Sequence, residues 1–174
     1  MTSSDDRARS VQFRLTDIAP AEPFTGRWKA RREAKVAVQR LTIKQAAVLR
    51  NPGKQSMQIV SPENAPDAAV TITRVTMEPG AISPRHSHAR SEQIWIVEEG
   101  SATLLLAGDR TEQLAAGDVI RTPRSDIHGV ENTGQGSFVY LTITNPPEDM
   151  TPFYKERITT EDSDTRSSRR ARGT

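Results

Sequence analysis

The chain's 174 residues include three histidines, His86, His88 and His128. Two form a His-x-His pair in a stretch rich in strand-forming residues. Side chains two positions apart on a strand point to the same face, so His86 and His88 are expected to share one metal ion. His128 falls in a second such stretch, where an antiparallel neighbour brings it within reach. Imidazole is the commonest side-chain metal ligand. A lone histidine usually belongs to the core or the surface, whereas a complete set in one alternating pattern points to a metal centre. Cysteine is absent, which excludes thiolate zinc sites, iron–sulfur clusters, a thiol nucleophile and a disulfide framework.

The elements around these histidines are short β-rich runs between turn signals. In order they are SMQIVS, AVTITRVTM, SEQIWIV, SATLLLAG, DVIRT, HGVEN and SFVYLTIT. Breaks such as Glu78-Pro79-Gly80, Gly108-Asp109 and Gly117-Asp118 separate them, with no helical stretch between. This spacing predicts an antiparallel sandwich or barrel. Asn145-Pro146-Pro147 ends the last strand, because proline cannot feed a ladder. Residues 1–26 read as a loose arm, and residues 27–49 have helix-forming composition up to the stop at Asn51-Pro52-Gly53. The polar end, EDSDTRSSRRARGT, reads as a disordered tail. The expected organisation is a partly helical or disordered extension over 1–44, a barrel over 45–158 and a disordered tail over 159–174.

Composition bounds the function. The hydrophobic fraction is 34%, low enough that part of the chain is expected to lie outside a packed core. The net charge of +2 averages unlike parts. Residues 1–50 carry 11 Lys and Arg against 5 Asp and Glu; residues 51–160 carry 9 against 14. A nucleic-acid protein is expected to carry its positive charge on the folded domain, and the arm offers one helical stretch rather than a helix-turn-helix pair, so nucleic acid is not expected as a partner. There is no apolar run of about 18 residues, so no membrane span is expected. The start, MTSSDDRARS, has no apolar secretory core, and a cytoplasmic protein is the expectation.

Two longer patterns run through the histidines, Gly80-x5-His86-Ser87-His88-x4-Gln93-x6-Gly100 and Gly117-x5-Pro123-Arg124-Ser125-x2-His128-x3-Asn132. They resemble, in order, the two motifs of the cupins, over roughly residues 45–155. The resemblance implies a single jelly-roll β-barrel with one divalent metal per chain (Mn, Fe, Ni, Co or Zn), a small-molecule ligand and a homodimer. Ser125 stands where the motif has glycine, a change expected to matter little because serine tolerates most turns. The motif's carboxylate position falls between Glu92 and Gln93. Strand alternation puts Gln93, Trp95 and Val97 on one face and Glu92, Ile94 and Ile96 on the other. If Trp95 lines the barrel, Gln93 is the fourth ligand, as in family members that process pectin-derived sugars; Glu92 is the alternative. Three imidazoles and an amide leave the ion's full charge uncompensated, favouring anionic oxygen ligands.

Further residues suggest roles. Arg74 is a candidate for holding a substrate carboxylate, with a solvated outer position as its alternative. Glu92, if turned inward, and Tyr140 are the candidates for a general base. Ile94 and Ile96 form an apolar stripe suited to a packed sheet or a dimer contact. Phe153 and Tyr154 are placed to fold back across a barrel end. Two functions follow: an enzyme using Lewis-acid chemistry (isomerase or lyase type) or acting as a dioxygenase on a small carboxylate or enol, and a non-catalytic metabolite- or metal-binding module.

Overall fold

The computed structural model describes residues 38–159. The arm, the first part of the helical stretch and the tail beyond residue 159 lie outside the described residues. The chain divides into two units, Met1–Val38 and Gln39–Thr174, and the barrel belongs to the second. It is all-β, as expected, with strands β1 (Val48–Asn51), β2 (Lys54–Val60), β3 (Thr71–Met77), β4 (Ile82–His86), β5 (Glu92–Glu99) and β6 (Ser101–Leu106). β7 (Thr111–Ala115), β8 (Val119–Thr122), β9 (His128–Glu131), β10 (Phe138–Asn145) and β11 (Glu156–Ile158) complete the set. Two antiparallel sheets form, with strand orders β11-β1-β2-β3-β10-β5-β8 and β4-β9-β6-β7.

Alternation and register divide the interior. On β3, Thr71, Thr73, Val75 and Met77 face inward and the residues between them face out. The pairing of β3 with β10 sets Thr73 opposite Thr142 and Thr71 opposite Thr144, while Val75 meets Tyr140 and Met77 meets Phe138. On the other side of β10, Gln93 meets Thr144 and Val97 meets Tyr140. One half of the barrel is therefore a band of buried hydroxyls and an amide. The other half is an apolar plug of Val75, Met77, Trp95, Val97, Leu104, Val130 and Phe138. The plug supplies burial energy, and the polar half leaves donors and acceptors where a ligand can use them.

The helical expectation for residues 27–49 fails at its described end. Ile43–Gln45 forms a single 3₁₀ turn. Val48 and Leu49 are already in β1, and Pro52-Gly53 turns the β1–β2 hairpin, with Gly53 at φ +69°. Val48 pairs with Met57 on one side and Ile158 on the other, and Leu49 is buried. Sheet pairing on both edges and burial of leucine outweigh a modest helical propensity. The apolar stripe lies on the outer face of the larger sheet, where Ile96 is 37% exposed.

Asn132, the last residue of the second motif, clips the barrel together. Fully buried, its Nδ2 donates to Met77 O and Gly136 O, both at 2.9 Å, and its Oδ1 accepts from Gly134 N at 3.0 Å. Asn132→Ala strands two carbonyls and one amide in the interior. We expect a loss of about 2–4 kcal/mol, read as a lower urea midpoint with unchanged m-value; an unchanged midpoint contradicts the clip.

Candidate metal centre

The three histidines reach one point from two elements. His86 is the last residue of β4 and lies directly opposite His128 of β9. His88 lies just beyond β4, so the His-x-His pair is half strand and half loop rather than a strand pair. The rings still gather: centroids are 5.1 Å apart for His86 and His88, 4.7 Å for His86 and His128, and 5.4 Å for His88 and His128. One ring nitrogen from each lies within 4.8 Å of the others. Gly129 permits this closeness, because a Cβ there would sit 2.6 Å from Ser83 O on β4.

Hydrogen bonds fix which nitrogen faces the centre. His86 Nδ1 lies 2.8 Å from Pro84 O and His128 Nδ1 lies 2.9 Å from Asp126 O. A carbonyl oxygen only accepts, so both rings carry their proton on Nδ1 and present the Nε2 lone pair. His88 Nδ1 lies 2.8 Å from Glu148 Oε2, an acceptor of the same kind when ionised. Nε2 of His88 and of His128 is buried without a hydrogen-bond partner. Such orphaned buried acceptors are costly unless something occupies them. Three neutral imidazoles with converging lone pairs, each backed by an oxygen, suit a divalent transition ion.

Electrostatics agree with neutral rings at His86 and His128. Burial lowers the pKa of His86 and pushes that of His128 down to about 4. Glu148 places a carboxylate directly behind His88, a group that the two spaced motifs do not include. Glu148 follows the Asn145-Pro146-Pro147 exit, 60 residues from His88, and no spacing rule links the two. The segment is held at one end by Ser91 Oγ, which donates to Pro146 O at 2.7 Å. At the other end Asn51 Nδ2 donates to Phe153 O at 3.0 Å.

The remaining candidates separate by face. Gln93 is buried and inward; its Oε1 accepts from Trp95 Nε1 at 2.9 Å and its Nε2 donates to Thr144 Oγ1 at 3.2 Å. Glu92 faces outward, paired with Arg121 at 2.6 Å. Arg74 also faces outward, paired with Glu98 at 2.6 Å. Neither is brought to the histidines, because each alternates with residues that line the interior. Tyr140 is inward and buried, stacked near Trp95 with centroids 5.0 Å apart, and burial raises its pKa well above the usual phenol range. Ser125 adopts φ +64°, a left-handed conformation that favours glycine, so its replacement of the motif glycine carries a backbone cost of about 1–2 kcal/mol. Its N–H donates to His88 O at 2.9 Å, tying the two motif loops together.

A cavity of about 300 Å³ opens beside the rings, lined by His86, His88, Lys54, Met150, Phe153 and Tyr154 among others. A smaller space of about 40 Å³ continues inward to Gln93, Trp95 and Tyr140. Phe153 and Tyr154 thus do fold back to the barrel end. Lys54, Glu148 and Met150 were not singled out by sequence, since an isolated lysine, glutamate or methionine carries no spacing signal.

The fold is a two-sheet antiparallel barrel with three imidazoles converging near its mouth. Residues 73–144 match the family described as the cupin domain. No curated protein matches the chain in sequence. Among solved structures it is similar to KdgF from Halomonas sp., at 23% identity and TM-score 0.50, over 57% of this chain and 85% of that one. A predicted oxalate decarboxylase from Thermotoga maritima matches at 21% and 0.54, over 62% of this chain and 99% of its own. The polyketide cyclase RemF from Streptomyces resistomycificus matches at 20% and 0.55, over 71% and 86%. These likenesses establish the fold. Among the described residues no helix is long and apolar enough to cross a membrane.

The depressed histidine pKa values set a pH dependence. Unfolded histidines bind protons below about 6.5, whereas folded His128 resists until about 4. Stability of the metal-free protein is therefore full above about 6.5 and falls as pH drops toward 4. Thermal melts of chelator-treated protein should show a falling Tm over that window, and His128→Gln should flatten the fall. A profile unaffected by that substitution contradicts a buried neutral His128.

Proposed function

We propose that this chain is a divalent-metal-dependent cupin enzyme acting on a small oxygen-rich metabolite, a carboxylate or an enol. The observation that carries the reading is the pair of buried, unpartnered Nε2 atoms on His88 and His128, with His86 opposite His128 across β4 and β9. His86, His88 and His128 are the proposed ligands, with Gln93 as the fourth. A carbonyl oxygen has two lone pairs, and Trp95 uses one of Gln93's. Glu92, turned away and paired with Arg121, is the weaker claimant. Mn, Fe, Ni, Co and Zn all suit the nitrogen and oxygen donors. When bound, such an ion supplies Lewis-acid chemistry at a substrate oxygen, or redox chemistry if it is iron.

The chain's own residues do the rest. The carbonyls of Pro84 and Asp126 and the carboxylate of Glu148 hold the imidazoles in one orientation. Trp95 and Tyr140 wall the inner space and limit water. The Tyr140 hydroxyl stays protonated at neutral pH, which makes it a hydrogen-bond donor rather than a base. Among the described residues no carboxylate lines either cavity, and Glu148 is engaged by His88. This lack of a free carboxylate base also favours a second reading, a non-catalytic metabolite-binding module. The activities named for the structural neighbours, a predicted decarboxylase and a cyclase, differ in chemistry and do not choose between these readings. A homodimer belongs to the proposal, and a monomer by light scattering would remove it.

Elemental analysis of the purified protein should find close to one divalent ion per chain. His88→Ala and His128→Ala should each strip most of it, and full occupancy in both variants would end the reading. Gln93→Ala should weaken metal affinity by about tenfold and Glu92→Ala by little; the reverse order would move the fourth ligand to Glu92. Turnover of any member of a panel of hydroxy acids, keto acids and enols selects the enzyme, and saturable binding without turnover selects the module.

A further inference from the structure

Lys54 opens β2 at the mouth of the barrel and lines both the larger cavity and the inner space. His86 lines both as well, so one cation and one proposed ligand face the same volume. The Lys54 Nζ donates to Ser83 Oγ at 2.6 Å and sits 5.2 Å from the centre of the Tyr154 ring. An ammonium has three donors, so two remain after Ser83. Arg74, Arg85, Arg121 and Arg157 each face a carboxylate, but among the described residues none lies within ion-pair distance of Lys54. Burial lowers the Lys54 pKa to about 8, which leaves it a cation at neutral pH. A half-buried cation without a counter-ion is costly, and a bound anion offsets that cost. The walls beside it are apolar, from Ile82, Pro84, Met150 and Phe153, and suit a short carbon skeleton.

We propose that Lys54 is an anion-binding residue that receives a carboxylate of the ligand, so that the pocket takes small acids carrying a second oxygen donor for the histidine centre. Ser83 orients the ammonium, and Tyr154 shields it from solvent. The substrate class narrows from oxygen-rich metabolites to carboxylates held at two points, one at Lys54 and one at the imidazoles. An enol or polyol without a carboxylate lacks the group that Lys54 needs. The two-point part rests on the metal reading above; the carboxylate contact at Lys54 does not.

Two measurements test this. In the first, malonate, succinate, glutarate and acetate are titrated by calorimetry into Mn²⁺-loaded protein. At least one dicarboxylate should bind about tenfold or more tightly than acetate, since a charge-assisted contact is worth that much. Lys54→Met should reduce the advantage to within about threefold, Lys54→Arg should keep most of it, and metal content should match wild type in both. In the second, metal-free wild-type protein labelled at lysine is titrated with malonate and followed by NMR. The Lys54 side-chain signal should move saturably, while those of Lys44 and Lys155 move little. An unchanged dicarboxylate preference in Lys54→Met, or a Lys54 signal no more responsive than the others, overturns the proposal. Saturable binding of inorganic phosphate with no response to carboxylates overturns the ligand class. A protein that takes up no manganese sinks the metal reading, and the NMR titration then decides the Lys54 contact by itself.

Discussion

Each of the three imidazoles is held from behind. Pro84 O, Asp126 O and Glu148 Oε2 engage Nδ1 of His86, His128 and His88, and that engagement directs every remaining lone pair toward one small volume. An imidazole free to rotate or to change tautomer would at times present a proton to the centre instead of a lone pair. Two of the acceptors are backbone carbonyls two residues from their histidines, so local chain geometry sets them. The third is a side chain from a distant segment. The centre therefore depends on both the β4–β9 register and the docking of the chain after β10.

The interior is built to tolerate that arrangement. Hydrophobic burial is concentrated in the plug of Phe138, Met77, Val130 and their neighbours, away from the polar half. The polar half keeps Thr73, Thr142, Thr144 and Gln93 on its walls without asking them to supply most of the burial energy. Trp95 joins the two regions. Its ring packs edge-on to His128 at 5.6 Å and against Tyr140, while its N–H orients the Gln93 amide. One aromatic side chain thus contributes packing, water exclusion and amide orientation together.

Much of this was legible from the residues. The complete histidine set, the two spaced motifs and the alternation of β3, β5 and β10 led to an all-β barrel with the three rings gathered and Gln93 turned inward. Strands β1, β4, β7 and β11 escaped notice because they are short, polar or interrupted by proline, as in the ISPRH of β4. The helical reading up to residue 49 failed because local composition carries no record of the β2 and β11 partners that claim Val48 and Leu49. Arg74 and Glu92 were named for their chemistry, but period-2 alternation places each on the outer face, where carboxylate and guanidinium find each other. Glu148 and Lys54 could not be found by spacing, since only the closed fold brings them to histidines far away in sequence. At Ser125 the residue type was visible and its positive φ was not.

Glu148 also gives the centre a history in time. A chain emerging from the ribosome presents His86 and His88 first and His128 some forty residues later, yet His88 lacks its acceptor until the segment beyond β10 has been made and docked. Before then a nascent chain holds all three rings with one of them unanchored. The mature arrangement of the three rings is therefore complete only once the segment beyond β10 has docked beside His88.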